Sequence, residues 1–328
     1  MIDSGAFRRR ILCWYGRNKR DLPWRESTDF YRVWISEIML QQTRVEAVIP
    51  YFHRFLRRFP SLEALAEAPE ADVLTAWSGL GYYSRARNLH KAAKIAVSSG
   101  LPSSYEEILA LPGNGPYTAA AIASIVLGEA HAAVDGNVVR VVSRLTNGLG
   151  EAAGEAQRLL DTRRPGDFNQ AMMELGATVC VPPTPRCAVC PVISLCAGRA
   201  AGREAELPVK TAKPAPRDVA VDLVILMKKN EVLLIRRSPS EKRLAGFYEL
   251  PELKVFPELK PESVGFFTHR IVNDRFLVSV WRAVIGRKPA SDGYWFSEEQ
   301  LTKIPLTTIT RKALHSAHNF PGGTALDY

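Results

Sequence analysis

The sequence has few cysteines, no acidic surplus and no long apolar run. Five cysteines in 328 residues are too few for a disulfide framework, and no apolar run is long enough to span a bilayer. The N-terminal stretch carries Ile11, Leu12, Trp14 and Tyr15, which indicates an amphipathic helix and not the apolar core and cleavage site of a signal peptide. We therefore expect a cytoplasmic protein that does not associate with membranes.

Basic residues outnumber acidic ones. Lys and Arg total 43 against 34 Asp and Glu, which gives a net charge of +9. Such a surplus suits a polyanionic partner, because neutralising phosphates releases counterions and drives association. A charge that serves only solubility explains the surplus equally well. The length indicates two domains, each able to bury a core of its own.

Four of the five cysteines lie within one short segment. Cys180, Cys187, Cys190 and Cys196 have the spacing C-x6-C-x2-C-x5-C. Thiolates bind soft metal centres, and four from one compact loop can hold a [4Fe–4S] cluster. The spacing differs from the two-pair pattern of common zinc ribbons, although tetrahedral zinc uses the same ligands. The segment therefore predicts a metal site, with iron–sulfur preferred over zinc, and the remaining Cys13 is predicted to be a packed helix thiol.

The periodicity of the chain changes along its length. Residues 1–197 show mostly helical periodicity, which predicts a mainly α domain. Residues 198–217 are rich in Pro, Ala and basic residues and are predicted to be an interdomain linker. Residues 218–328 contain strand patterns, with a polar turn at Lys229–Asn230, and end in helical patterns. This last part predicts a smaller α+β domain.

A glycine-rich turn lies between two helical patterns of the first domain. Leu111–Tyr117 reads LPGNGPY, in which Gly113 and Gly115 permit a tight hairpin. Pro116 suits the first turn of the following helix, because its missing N–H costs little there. A helix that begins at such a hairpin suits a phosphate. Glycine turns between helices are common, so the hairpin alone is only moderate evidence for nucleic-acid binding.

Glu37 stands among apolar residues of a predicted helix. A carboxyl in apolar surroundings has a raised pKa and can hold a proton near neutrality, so it could act as a general acid. A lone glutamate is more often an exposed surface residue. Asp135, which precedes a helical pattern, is explained first as a helix N-cap.

Taken together, the motifs resemble the helix–hairpin–helix DNA glycosylases of the endonuclease III superfamily, and among them the MutY-type adenine DNA glycosylases. The matches cover much of the helical domain in order. They are Leu22–Arg25 (LPWR), Val33–Thr43 (VWISEIMLQQT), Gly79–Ala93, the glycine hairpin, Val134–Val141 (VDGNVVRV), Phe168–Cys180 and the four clustered cysteines.

The resemblance implies a base-excision repair enzyme with a [4Fe–4S] loop. Its substrate would be double-stranded DNA with adenine mispaired with 8-oxoguanine or guanine, and its reaction hydrolysis of the adenine N-glycosidic bond. It implies that Glu37 is the general acid at adenine N7 and that Asp135 stabilises the oxocarbenium-like sugar. Asn137 would help to order the site. A monomer is the expectation for such an enzyme.

Tyr117 separates this family from its lyase relatives. Endonuclease III-type lyases carry a lysine at the corresponding place, which attacks the sugar through a Schiff base, and tyrosine cannot form that adduct. The resemblance also implies that Gln42 and Tyr82 fill space when the adenine is flipped out, although both could be ordinary packing residues. Arg186, in the cysteine loop, is predicted to contact phosphate.

The C-terminal domain resembles the Nudix-like lesion-recognition domain of the same family. Gly246–Pro251 (GFYELP) resembles the strand and turn before a Nudix box, whereas the REx2EE carboxylates of the box are missing. Nucleotide hydrolysis is therefore not expected. Phe267, Thr268 and His269 resemble a Phe-Ser-His loop that probes 8-oxoguanine, with Thr268 in place of serine.

Three alternatives remain open from the sequence. The chain could be an endonuclease III-like lyase for oxidised pyrimidines, a thymine mismatch glycosylase, or a non-catalytic sensor of DNA damage or redox state. Tyr117 argues against the lyase, and the joint presence of Glu37 and Asp135 argues against the sensor. No docking motif for a protein partner is evident.

Overall fold

The chain divides into two compact units. The computed structural model describes residues 2–209, 215–238, 240–241, 244–286 and 293–317. The first unit comprises Met1–Ala68 and Arg87–Thr211, and the second comprises Pro69–Ala86 and Ala212–Tyr328. The second unit thus takes in residues 69–86, which the sequence analysis places in the helical domain.

Short polar residues begin several helices. Asp3, Asp29, Ser61, Ser104 and Asp135 each accept a hydrogen bond from a backbone N–H of the first turn, which satisfies a donor without a partner inside the helix. In chain order the helices up to residue 209 are α1 (Ser4–Asn18), α2 (Phe30–Leu40), α3 (Val45–Arg58), α4 (Leu62–Glu67), α5 (Glu70–Ala76), α6 (Ser84–Ser99), α7 (Tyr105–Ala110), α8 (Pro116–Ile122), α9 (Gly136–Leu145), α10 (Ala152–Leu159), α11 (Pro165–Thr178) and α12 (Ala197–Ala200).

One hydrophobic core of the first unit lies where α1, α9, α10 and α11 pack together. Phe7 and Ile11 of α1 are fully buried, and the Phe7 ring lies 6.1 Å from that of Phe168 in α11. Tyr15, one helical turn after Ile11, is buried as well. The amphipathic N-terminal helix predicted from the sequence is therefore confirmed, because its apolar residues share one face.

Part of the predicted linker at 198–217 belongs to the first unit. Gly198 lies so close to α9 that an added Cβ would come within 2.5 Å of the Arg144 carbonyl oxygen. Leu207 is buried, and its carbonyl accepts a hydrogen bond from Arg144 Nε at 3.1 Å. A glycine and an apolar residue thus let this segment pack against α9. Residues 210–214 lie outside the described part of the chain.

The second unit is built on a mixed sheet. Its strand order is β3-β2-β1-β5-β4, with β6 also paired to β2. Strands β1 and β5 run parallel, and the other pairs are antiparallel. The turn predicted at Lys229–Asn230 joins β1 to β2, as expected. The strands are β1 (Arg217–Lys228), β2 (Glu231–Arg236), β3 (Tyr248–Glu249), β4 (Glu262–Ile271), β5 (Asp274–Val284) and β6 (Tyr294–Ser297).

Both faces of this sheet are apolar. Along β1, Leu223 and Ile225 contribute to one core cluster, whereas Val224 and Leu226 contribute to another, as the two-residue period of a strand requires. Helix α14 (Thr308–Ser316) packs against the first cluster, and α13 (Glu298–Leu301) precedes it. The C-terminal helical segments predicted from the sequence are therefore confirmed.

Residues 69–86 join this unit through an aromatic contact. The ring of Tyr83 lies 4.2 Å from that of Phe247, and Phe247 is fully buried within the segment Gly246–Pro251. No helix in the described residues has both the length and the apolar character that crossing a bilayer requires.

Candidate active site and cysteine loop

Glu37 lies near the end of α2 and is almost completely buried. Helix α2 carries apolar side chains on nearly all sides and packs against α3 and α8, so it offers no broad solvent face. Glu37 is 5% exposed. Because a charged carboxylate loses its hydration in such surroundings, the neutral form is favoured. The apolar setting predicted for Glu37 is confirmed.

Tyr117 provides the polar contact to this carboxyl. It follows Pro116 in the first turn of α8, and its hydroxyl donates to Glu37 Oε2 at 3.0 Å. Burial raises the pKa of Glu37 to about 7, although the hydrogen bond from Tyr117 lowers it, while Asp135 raises it and Arg25 lowers it. Burial also raises the pKa of Tyr117, so the phenol stays protonated. The pair therefore holds an exchangeable proton near neutral pH.

Asp135 is fixed at the start of α9. Its Oδ1 accepts from the Val138 N–H at 2.7 Å, which confirms the predicted N-cap. Its Oδ2 accepts from Asn137 Nδ2 at 2.8 Å. With both oxygens bonded, the carboxylate keeps one orientation. Its charge acts on Glu37, so the two carboxyl groups and Asn137 form one site.

A chain of hydrogen bonds links this site to the cysteine loop. Arg140 Nη2 donates to Asn137 Oδ1 at 2.8 Å and to the Gly176 carbonyl at 2.7 Å. Arg140 Nε donates to the Cys180 carbonyl at 2.8 Å. A Cβ added at Gly176 would lie 2.6 Å from that of Asn137, so glycine lets α9 and α11 approach. Arg140 therefore fixes Asn137 and the first cysteine together.

The two glycines of the hairpin differ in backbone conformation and in the space around them. Gly113 has φ +86°, and an added Cβ would lie 2.7 Å from that of Asn88. Gly115, the N-cap of α8, has φ −95°, and an added Cβ would meet no atom within 4 Å. The fold of this chain therefore requires glycine at 113 and leaves space beside 115.

Asn114 anchors the hairpin. Its Nδ2 donates to the Ile108 carbonyl at 2.9 Å, and its Oδ1 accepts from Trp34 Nε1 at 3.1 Å. Trp34 lies on α2, one helical turn before Glu37. The buried amide therefore ties the hairpin to the helix that carries the candidate acid, since a buried amide needs partners for both of its ends.

The four clustered cysteines surround one cavity. Its empty space is about 310 Å³, part of it open to solvent, and Cys180, Cys187, Cys190 and Cys196 all line it. Burial raises the pKa of Cys190 to about 11, so without metal the thiol keeps its proton, which a metal centre would displace. Within the described ranges, no group of three or more His, Cys, Asp or Glu is arranged to hold a metal ion.

Arg144 of α9 holds the cysteine loop from inside. It is 2% exposed and donates from Nη1 to Cys180 Sγ at 3.3 Å, and to the carbonyls of Cys180 and Val181 at 3.1 Å. The Cys196 thiol donates to the Arg144 carbonyl at 3.4 Å. A guanidinium beside sulfur suits an ionised thiolate ligand, because donors to the ligand tune a metal site. The chemistry of these donors thus suits a soft, anionic sulfur-bound centre, whereas the positions of the described cysteines do not themselves form a metal-binding group.

Three candidate DNA contacts are exposed. Arg186 is exposed at the start of the Cys187–Val189 turn. Gln42 in the first unit and Tyr82 in the second are exposed as well, and both have left-handed backbone, with φ of +58° and +49°. Such a conformation is uncommon outside glycine and concentrates at functional sites.

Phe267, Thr268 and His269 lie in a strand, so their predicted position in a loop is wrong. They belong to β4 and pair with Val278, Leu277 and Phe276 of β5. Phe267 packs against the core cluster beside α14, whereas Thr268 is exposed and His269 is half-buried. The alternating pattern of a strand continues here to the turn at 272–273, where the chain reverses into β5.

Comparison with known proteins identifies the family. Residues 35–163 match the HhH-GPD superfamily base excision DNA repair protein family. The adenine DNA glycosylase of Schizosaccharomyces pombe is 34% identical over 334 residues, which cover 80% of this chain and 72% of that protein. That of Buchnera aphidicola subsp. Schizaphis graminum is 35% identical over 244 residues, covering 70% and 68%. The chain belongs to the adenine DNA glycosylase family.

Coverage differs among members of this family. The rat adenine DNA glycosylase is 47% identical over 217 residues, which are 60% of this chain and 42% of the rat protein. The chain thus spans less than half the length of that relative. A thermostable thymine-DNA glycosylase structure has TM-score 0.56 and 29% identity over 60% of this chain and 97% of its own. An endonuclease III–DNA complex has TM-score 0.53 at 20% identity, covering 62% and 100%, so the helical core shares its fold.

A buried ion-pair network beside the family's site was not predicted. Glu174 of α11 is 1% exposed. It accepts from Arg20 Nε at 2.7 Å and from Arg25 Nη2 at 2.8 Å. Arg25 ends the motif LPWR, but a partner 149 residues away leaves no periodic signal in the sequence. Met173, which lies beside Glu174 and contacts Tyr117, was missed for the same reason.

Proposed function

We propose that the protein is a monofunctional adenine DNA glycosylase, which removes adenine mispaired with 8-oxoguanine or guanine in double-stranded DNA. Membership of the family supports this substrate class. The observation that carries the proposal is the buried Glu37 carboxyl, hydrogen-bonded to Tyr117 at 3.0 Å with a pKa raised by burial to about 7. A proton donor in a water-poor pocket suits departure of a purine base.

Each group of the site has one task in the proposed reaction. Glu37 donates its proton to N7 of the flipped-out adenine, which makes the base a leaving group. Positive charge then develops on the sugar, and the carboxylate of Asp135 stabilises it, by electrostatics or a transient adduct. Asn137 keeps Asp135 oriented, and water completes hydrolysis. The hydrogen bonds from Asn137 and from the Val138 N–H hold the Asp135 carboxylate in one orientation, so it does not have to reorient when charge develops on the sugar.

The monofunctional outcome rests on Tyr117. A lyase needs an amine at this place to form a Schiff base with the sugar. A phenol bonded to Glu37 positions the acid and has no such chemistry. The product is therefore an abasic site in an unbroken strand.

Several exposed groups support a DNA partner. The net charge of +9 favours phosphate binding. The open space beside Gly115 allows a phosphate to approach the hairpin backbone, while Gly113 keeps the turn tight. We assign Arg186 to a phosphate contact. Gln42 and Tyr82 occupy space in the duplex when adenine leaves the stack.

We also propose a [4Fe–4S] cluster as the resident cofactor. Cys180, Cys187, Cys190 and Cys196 would hold it, and the cavity they share supports this assignment. When bound, the cluster orders the loop that carries Arg186 and takes no part in hydrolysis. Arg144 supports the cluster from α9 by donating to the Cys180 sulfur.

Iron analysis tests the cluster. Cys187→Ser is expected to lower iron content and DNA affinity, because one ligand is lost. Cys13→Ser is the matched control, since Cys13 lies on α1 outside the cavity and is exposed, so the prediction of a packed thiol is wrong. Zinc in place of iron in the purified protein would favour the tetrahedral alternative, and unchanged iron and DNA binding in Cys187→Ser would remove the assignment.

For the second unit we propose a Nudix-like fold that recognises the base opposite adenine. Thr268 is exposed on β4 and offers a hydroxyl for hydrogen bonding. Burial and the charge of Lys312 lower the pKa of His269, so its ring is neutral at physiological pH and can accept as well as donate a hydrogen bond. Phe267 supports the strand from the core side.

Single-turnover cleavage tests the whole proposal. Duplexes with one A:8-oxoG or A:G pair are incubated with protein and analysed with and without alkali. We expect breakage at adenine only after alkali, and a loss of about 10²- to 10⁴-fold in Glu37→Gln, the range for one general acid. Glu67→Gln, an exposed carboxyl change on α4, is the control. Breakage without alkali would indicate a lyase.

Thymine excision is the second candidate, because the thymine-DNA glycosylase structure resembles the helical core at 29% identity. A G:T duplex in the same experiment decides between the two. Alkali-dependent breakage at thymine with intact adenine would replace the proposed substrate.

A further inference from the structure

The hydroxyl of Tyr117 has two acceptors and a single hydrogen. It lies 3.0 Å from Glu37 Oε2 and 3.1 Å from Met173 Sδ. A phenol can donate to only one acceptor at a time, although its oxygen can also accept a hydrogen bond. Met173 lies on α11 next to Glu174. The proposed reaction assigns no function to its sulfur.

The charge of Glu37 selects between two arrangements. When Glu37 is ionised, Tyr117 donates to Oε2 and stabilises the carboxylate. When Glu37 carries its proton on Oε2, the acid donates to the Tyr117 oxygen, and the phenol hydrogen needs another acceptor. The Met173 sulfur is within reach at 3.1 Å. Without it, the phenol O–H of this arrangement would have no acceptor among the hydrogen bonds that the structure gives Tyr117, which is costly for a poorly exposed donor.

We propose that Met173 is a positioning residue for the acid, and that its sulfur accepts the Tyr117 hydrogen while Glu37 holds its proton before adenine arrives. The inference rests on the proposed function and extends it. Once adenine enters, N7 becomes the acceptor of the acid proton. After transfer, the Tyr117 hydrogen returns to the ionised Glu37, so one hydroxyl serves both charge states.

The neighbouring charges do not replace this contact. From the elements around α2, Asp135 raises and Arg25 lowers the pKa of Glu37, and Tyr117 lowers it through its hydrogen bond. Glu174, beside Met173, is ion-paired with Arg20 and Arg25. These groups set the charge preference of Glu37. Among the contacts of the Tyr117 hydroxyl in the described part of the chain, the Met173 sulfur is the one that gives its hydrogen a position away from Glu37.

Met173→Leu tests the proposal, because leucine keeps the apolar bulk and has no acceptor. Loss of the sulfur leaves Tyr117 to donate to Glu37, which favours the ionised form. The alkaline limb of the second-order excision rate, which reports the free enzyme, is expected at lower pH by roughly half a unit, the size of one weak hydrogen bond. The alkaline limb of the excision rate at saturating protein should move less, since the bound adenine then accepts the proton of Glu37.

Two further variants isolate the effect. Met172→Leu changes the adjacent buried methionine in the same way and should leave the limb in place. In a Tyr117→Phe background, Met173→Leu should no longer move it, because no phenol hydrogen remains. A limb that is unchanged in Met173→Leu, or that moves equally with and without Tyr117, would overturn the proposal.

A measurement without DNA separates this inference from the proposed function. The pH dependence of unfolding free energy, compared with Glu37→Gln protein, gives the pKa of Glu37 by linkage. We expect Met173→Leu to lower that pKa even in a preparation that excises no adenine. An unchanged value would remove the role of Met173, whereas absent excision with a shifted value would remove only the proposed substrate.

Discussion

Two glutamates of the first unit are both almost inaccessible to solvent, and yet their pKa values are shifted in opposite directions. Glu37 is 5% exposed and Glu174 is 1% exposed. Burial raises the pKa of Glu37 to about 7. Burial also acts to raise the pKa of Glu174, but hydrogen bonds and charges from Arg20 and Arg25 outweigh it and lower the pKa. Shielding alone therefore does not decide whether a carboxyl holds a proton.

The partner of each carboxyl makes the difference. Glu37 faces a neutral phenol, which stabilises the carboxylate only modestly, whereas Glu174 faces two guanidinium groups that match its charge. The first arrangement leaves a proton that can be given away near neutral pH. The second fixes α11 to the segment around Arg20 and Arg25, and it suits structure better than acid catalysis.

Replacing Glu174 should give the largest loss of stability among these variants. Glu174→Gln keeps the shape but leaves two cations without a counter-charge, so we expect a loss of about 3 kcal/mol in unfolding free energy at pH 7. Urea denaturation measures it, with exposed Glu67→Gln as the control. For wild type, this contribution is present above pH 4.5 and disappears as pH falls through the lowered folded-state pKa. A loss below 1 kcal/mol would show that the ion pairs with Arg20 and Arg25 are not what keeps Glu174 ionised.

The corresponding substitution Glu37→Gln should increase the unfolding free energy relative to wild type at alkaline pH. The pKa of Glu37 rises from 4.5, the ordinary value of a glutamate carboxyl, to about 7 in the fold, so the folded state binds more protons between these values. Wild-type stability therefore falls as pH rises through this window, by roughly 3 kcal/mol when complete. Glu37→Gln does not titrate, so its advantage over wild type should grow from pH 4.5 to pH 8. A constant difference across that range would contradict the assigned pKa.

The sequence predicts local features of this comparison well. The apolar neighbours of Glu37, the N-cap at Asp135 and the first-turn position of Pro116 each follow from residues next to one another in the chain. Helical and strand periods also predict the mainly α core and the turn at Lys229–Asn230. Such features depend on short-range rules of packing and capping.

Contacts between distant segments could not be predicted. The ion pair of Arg25 with Glu174 joins residues 149 apart, and nothing in either local pattern selects the partner. The sulfur of Met173 looks like any apolar helix residue in the sequence. Thr268 was placed in a loop because a motif was compared without its strand register, which depends on pairing with β5.

Arg25 offers the smallest and most specific test, because it acts on both carboxyls. It pairs with Glu174 at 2.8 Å and lowers the pKa of Glu37 through its charge. Arg25→Gln should therefore raise the pKa of Glu37 by a few tenths of a unit, roughly 0.5 kcal/mol or less, while Arg20 still holds Glu174.

The pKa is measured from the pH dependence of stability in the Arg25→Gln background, with and without Glu37→Gln. Arg32→Gln is the matched control, because Arg32 lies on α2 and approaches Glu26. A pKa of Glu37 that fell after removal of Arg25 would mean that charged partners do not set the difference between the two glutamates. A rise confined to Arg25→Gln would show that a single guanidinium reaches both, and that its distance from each carboxyl decides which one stays ionised.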